Sequence, residues 1–426
     1  MTTEVAAMNR TGIALAADSA VTIGEDKVYN TVNKLFTLSK TNPVGVMVYG
    51  NASIMNVPWE TVIKIYRKRL GTRAFETLYE YAQDFLKYLA TERTLFSDSM
   101  RQNFLLETTT SICAMLREAI LSSDQLKECS DEDSLVQTAA EVGADIVQTE
   151  NERITDDCCI RVYQQAINNL IDSHGPIFDE IASSQLENIY GAMSPQTRDL
   201  LREALARYFY SSYMIGGSSG VVIAGFGEHE LFPKVVTLTI QGFSPDASKV
   251  RTEDTISAFQ ADSNFQASII PFAQSDMIFT FLTGIDPYVQ SLYNQEVIHT
   301  LTEIISEAVS KSDPAHQEAF ERDLQETGEQ ALRNMHQRIN KKQSSNYISQ
   351  VISMLDSLPK DELAEMAETL VNLIAFKKKV TKGTESVGGP IDVALITKGD
   401  GFIWINRKHY FDPALNHQFF VNYNSR

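Results

Sequence analysis

The 426-residue chain has no apolar run approaching the ~18 residues that a bilayer crossing needs. Its first residues show no basic stretch leading into an apolar core, so no export leader is expected either. A cytoplasmic protein with no membrane contact is the expectation. Cysteine is scarce, and Cys113, Cys129, Cys158 and Cys159 show no C-x-x-C spacing, which argues against a disulfide framework or a zinc module. They read as reduced thiols. Positive charge is also short: 37 Lys and Arg face 55 Asp and Glu, and the net charge of -18 repels a phosphate backbone. No nucleic-acid partner is expected. His174, His229, His299, His316, His336, His409 and His417 are scattered, with no two at the i, i+4 spacing of a helical metal pair. No serine sits in G-x-S-x-G, and the glycine-rich residues 216–220 lack the Lys-Ser/Thr ending of a phosphate loop. Neither a metal nor a cofactor is expected.

What is present is enough apolar material, 43% of residues, for a large core. Length alone suggests two to three domains, but the texture along the chain suggests another organisation. Residues 5–7, 12–17 and 44–49 are short apolar runs parted by turn material, as in strands covered on both faces. Asn56-Val57-Pro58 then reads as a helix start, with Asn56 as cap and apolar residues at Trp59, Val62, Ile63, Tyr66 and Leu70. From 72 to 214 the periodicity is helical, with stripes at 75–89, 160–174 and 198–213. Residues 124–157 are acidic and poor in aromatics, and read as a solvated helix or loop. Strand texture returns at 221–227 and 235–240 as a hairpin, and again at 391–396 and 402–405. Between them lie helical patterns over 275–379, broken at Asp286-Pro287, Asp313-Pro314 and Leu358-Pro359. Strands at both ends and in the middle are expected to share a sheet or sheets, giving one elaborated α+β domain rather than three beads.

Three features sit close together in the first β zone. Met1-Thr2-Thr3 places a small residue behind the initiator, so that methionine removal would expose a threonine with a free α-amine; Asp18 ends the second strand; Lys34 opens a later one. The segments Thr2-Thr3-Glu4-Val5, residues 12–22 and Asn33-Lys34 together resemble the proteasome β-subunit family and its bacterial ring-peptidase relatives, which are N-terminal-nucleophile hydrolases. Val48-Tyr49-Gly50, the hairpin at 221–242 and the late strand at 388–396 look like further parts of that pattern, over about a third of the chain. Counted from Thr2, Asp18 and Lys34 fall at the family's catalytic spacing without a gap.

The resemblance implies a four-layer αββα sandwich over 1–426, with core segments 1–71, 215–290 and 360–426 and helical insertions at 72–214 and 291–359. It implies a threonine peptidase acting on peptides or unfolded proteins, assembled as a homo-oligomer, with an unfolding ATPase as a further partner. Thr2 would be the nucleophile and Asp18 and Lys34 its charged supports. Gly50 would give an oxyanion N–H, and Ser275 stands where the family places a serine near the nucleophile. Two departures accompany it: Ser275 lacks neighbouring glycines, and Thr384 stands where the family has an aspartate, with Glu385 adjacent.

The chemistry gives these residue types a reason. A threonine hydroxyl needs a base within reach. An α-amine, with an ordinary pKa of ~7.7–8.0, supplies an unprotonated fraction that a lysine at ~10.4 does not. A retained Met1 would place that amine in a peptide bond and leave the site inert. Two other readings therefore stand beside the peptidase: a non-catalytic scaffold acting through its helical insertions, and an amidohydrolase acting on a small amide.

Overall fold

The computed structural model describes residues 3–23, 27–129, 131–155, 163–253, 255–258, 266–312, 317–381, 388–409 and 411–424. The chain is mixed α+β with antiparallel sheets. It divides into one compact unit of residues 1–47, 224–234 and 256–426 and a second of 48–223 and 235–255. A five-stranded sheet has the order Ser268–Ala273, Thr3–Asn9, Gly12–Ala17, Asp392–Thr397, Gly401–Asn406. A second sheet runs Ser248–Thr252, Lys234–Phe243, Ser219–Gly225, Val44–Gly50, Leu35–Thr37, with Ile256–Ser257 beside Lys234–Phe243.

In the first unit, β1 (Thr3–Asn9) and β2 (Gly12–Ala17) form a hairpin at the centre of the five-stranded sheet. Its turn is closed by Asn9, whose Oδ1 accepts from Thr11 N at 2.9 Å and from Thr11 Oγ1 at 2.7 Å. Side chains alternate across a strand, so Val5, Ala7, Ala14 and Ala16 share one face. They pack against Ile278 and Leu282 of the helix Asp276–Thr283 and against Leu363, Ala367, Leu370 and Val371 of the helix Lys360–Val380. Alanines on the strands let these helices come close. Glu4, Ala6 and Met8 belong to the other parity and are equally buried. The helix Lys360–Val380 carries Asp361 and Glu362 in its first turn and Lys377, Lys378 and Lys379 in its last, matching its dipole. The break expected at Asp286-Pro287 is where the helix Pro287–Ser310 starts: Pro287 occupies the first turn, and Asp286 Oδ1 accepts from Tyr288 N at 2.9 Å.

The second unit contains a helical block. Helices Asp98–Leu121, Glu132–Thr155, Gln164–Leu186 and Pro195–Tyr208 enclose Cys113, Ile120, Val147, Leu170, Phe178, Leu205 and Phe209. Three local expectations need correction. The acidic stretch forms the helix Glu132–Thr155 and buries Ala139, Ala140, Val142, Val147 and Ile154, with Gly143 so tightly packed that a Cβ would lie 2.8 Å from Met193 Cε. Its small residues give a contact face that composition alone concealed. Asn56 does not cap the helix Trp59–Leu70, whose N-cap is Pro58. Met55 and Asn56, at φ of 47° and 66°, instead make the two-residue turn between Ser53–Ile54 and Val57–Pro58. The helix Gln164–Leu186 continues through Gly175 and Pro176 rather than stopping at His174. Burial of Phe178, Ala182 and Leu186 beyond the proline outweighs the backbone bond it removes.

Candidate active site

The site is built at one end of the β1–β2 hairpin. β2 runs out at Ala17, and the next residue, Asp18, turns back onto β1: Thr3 N donates to Asp18 Oδ1 at 3.0 Å and Asp18 N donates to Thr3 O at 3.1 Å. The other oxygen, Oδ2, accepts from Ala20 N at 3.2 Å and from Gly388 N at 3.1 Å. Lys34 Nζ completes the set by donating to Asp18 Oδ1. Asp18 and Lys34 are 1% and 5% exposed. Desolvating two charges is costly, and here close pairing and three backbone donors offset that cost.

A second carboxylate belongs to the cluster. Glu4 is fully buried, and its Oε1 lies 3.5 Å from Lys34 Nζ. Sequence reasoning passed over it, although a glutamate inside an apolar strand is itself a signal of a buried partner. Ser19 was also passed over as a contributor. It is fully buried, its Oγ donates to Pro390 O, and its N donates to Gly388 O at 3.2 Å. Residues 388–390 are thereby tied to the end of β2 from two sides. Gly389 adopts a φ of 77°, and a Cβ there would meet Asn30 Cβ at 2.8 Å.

The other expected residues fall as follows. Thr2 lies outside the described residues, as do Thr384 and Glu385. Thr3 follows it directly in sequence; it is fully buried, and its Oγ1 has no hydrogen-bond partner among the described residues. Ser275 is half-buried at the N-cap of the helix Asp276–Thr283, with no side-chain cap bond. It stands two residues beyond Ala273, the strand partner of Thr3, where Ala273 takes a φ of 61° to turn the chain into the helix. Thr3, Glu4, Asp18, Lys34 and Ser275 thus all belong to the first unit. Gly50 belongs to the second, at a φ of 79°, where a Cβ would lie 2.6 Å from Ser218 O. A polar cavity of about 320 Å³ in that unit is lined by Asn51, Ser53, Asn103, Glu107, Gly217 and Gln241. Among the described residues no group of three or more His, Cys, Asp or Glu side chains could hold a metal. Among them, too, no helix is long and apolar enough to cross a membrane.

No family model matches this chain, and no curated protein matches it. Among the solved structures that match are Anbu proteins. A helical assembly of the Anbu complex from Pseudomonas aeruginosa is 10% identical over 99% of this chain and 94% of its own, with a TM-score of 0.33. Anbu (ancestral beta-subunit) from Yersinia bercovieri is 11% identical over 99% and 95%, with a TM-score of 0.27. Anbu from Hyphomicrobium sp. strain MC1 is 7% identical over 99% and 95%, with a TM-score of 0.27. The expected place in the proteasome β-subunit family and among its ring-peptidase relatives is therefore corrected. The matched structures are distant Anbu proteins, and at these scores they carry neither a family nor an activity to this chain.

Proposed function

We propose that the chain is an N-terminal threonine hydrolase of amide bonds, peptide bonds foremost, with Thr2 as nucleophile once Met1 is removed. The observation that supports it is the bridge at Asp18, one buried carboxylate bonded both to the backbone of the residue after Thr2 and to the Lys34 ammonium. A purely structural ion pair has no need to hold the start of the first strand. The scaffold we propose is an αββα sandwich; two antiparallel sheets, the first with helices on one face, support it.

In this reading Thr2 Oγ attacks the carbonyl carbon while the Thr2 α-amine takes the hydroxyl proton. The Lys34 ammonium offsets the negative charge that develops near the nucleophile, and Asp18 fixes its position. The amine then returns the proton to the leaving nitrogen, leaving an acyl ester on Thr2. Water, deprotonated by the same amine, hydrolyses that ester and restores the hydroxyl. Ser275 would place a hydroxyl beside the amine and relay the proton.

Intact mass is the first test. A mature chain lighter by one methionine is expected, whereas full retention of Met1 overturns the proposal and leaves the scaffold reading. With Met1 gone, Thr2→Ala should lower hydrolysis of a peptide panel by at least about 10³-fold, as loss of a nucleophile does elsewhere. It should also abolish labelling by threonine-directed electrophiles. Turnover of small amides with none of peptides would identify the amidohydrolase instead.

A further inference from the structure

The helix Pro287–Ser310 pairs with the helix Gln317–Gln343 in an antiparallel hairpin of the first unit. Asn294 Oδ1 lies 3.2 Å from His336 Nε2, and Gly328 admits Leu301, whose Cδ2 would stand 3.0 Å from a Cβ there. None of the 24 residues of the first helix is buried, and it holds no lysine or arginine. Tyr288, Tyr293 and Ile304 are 70%, 65% and 58% exposed. The Lys377–Asp286 ion pair, 3.2 Å long, ties the start of this helix to the end of Lys360–Val380, where Phe376 and Val380 are 64% and 65% exposed. So much exposed apolar surface on and beside this hairpin marks an interface.

The charge along the hairpin says what covers it. The first fourteen residues of Gln317–Gln343 carry Glu318, Glu321, Asp323, Glu326 and Glu329 against Arg322 alone. The last thirteen carry Arg333, Arg338, Lys341 and Lys342 and no carboxylate. On the partner helix Glu303 and Glu307 add to the acidic end, against Lys311 beside Glu307, and Glu296 stands in the basic half, beyond which lie Lys377, Lys378 and Lys379. A rod that is acidic at its tip and basic at its root is complementary to itself when reversed. An isologous pair places each tip on the other's root, with the apolar stripes between. A 24-residue helix is about 36 Å long, and two helices abreast span about 20 Å. Such a face offers roughly 700 Å² per copy, close to a standard interface.

We infer that this hairpin is a self-association surface on which two copies of the chain pack antiparallel about a two-fold axis. The inference is independent of any chemistry at Thr2. Mass measured in solution on the full chain tests it, by light scattering on a sizing column and by sedimentation. The wild type should associate. Lys341→Glu with Lys342→Glu, and separately Glu321→Lys with Glu326→Lys, should each weaken association by about tenfold to a hundredfold, because like charges then meet. Mixing the two reversed proteins should restore assembly as a mixed pair, and so should combining all four substitutions in one chain. Tyr288→Ser with Tyr293→Ser should dissociate the pair while leaving the circular dichroism unchanged. A monomeric wild type, or masses indifferent to either reversal, would overturn the inference. So would reversed variants that fail to rescue each other, an outcome that would point to a different protein on this face.

Discussion

Asp18 fills both carboxylate oxygens with donors that come from four places in the chain: Thr3, Ala20, Lys34 and Gly388. An asparagine there would present an NH₂ where a donor already points and would leave Lys34 without its close partner. Asp18→Asn is expected to cost about 3–5 kcal/mol, the scale seen when a buried pair loses one member. On the proposed mechanism it should also remove hydrolysis. Glu4 has a looser claim on Lys34, at 3.5 Å, so Glu4→Gln should cost under about 2 kcal/mol. Urea unfolding of the two variants checks the order; equal costs would mean that the two carboxylates carry Lys34 jointly. Asp18 and Lys34 were singled out in the sequence because they fall at the spacing of the family it resembles; the structure pairs the two, while Thr2 lies outside the described residues. Glu4 was not singled out, because its neighbours Val5, Ala6 and Ala7 set the reading of the whole segment as apolar strand.

Elements were legible where one force dominates. The apolar runs and turn residues of the β1–β2 hairpin and the helix break at Asp286-Pro287 need only local rules, and the structure follows them. Local rules failed where tertiary contact outweighs them. Pro176 sits mid-helix because apolar residues beyond it are buried, and the acidic helix Glu132–Thr155 enters the core through alanine and glycine. Asn56 was read by its capping habit, whereas its tolerance of positive φ is what the turn uses. Gly225 gives this scale its prediction. It ends the strand Ser219–Gly225 at a φ of 135°, with the Pro43 carbonyl oxygen 2.0 Å from where a Cβ would be, while Phe226 N donates to that same oxygen at 3.0 Å. Gly225→Ala must move backbone against backbone. A loss of about 2–4 kcal/mol is expected in thermal or urea unfolding, and an unchanged midpoint would show that the two segments separate freely.

The whole molecule keeps several tyrosines out of water, and that sets its alkaline limit. Burial pushes Tyr208 and Tyr210 up to about 12 from an ordinary value of 10.0. The unfolded chain therefore gives up these protons first. The stability they contribute is complete below pH 10, declines above it and is gone past about pH 12. Unfolding midpoints should fall across that window, and Tyr208→Phe should flatten the fall even though it loses the bonds to Gln241 and Ile215. A slope identical to wild type would assign the alkaline limit to other groups. The order of the five-stranded sheet has a consequence for synthesis. β1 and β2 leave the ribosome first, yet their neighbours are Ser268–Ala273 and Asp392–Thr397. At about 5–20 residues per second, the hairpin waits roughly 20 to 80 seconds for its last partner. During that wait two apolar strand edges stand open, and Asp18 lacks Gly388. The hairpin is thus made early and finished late.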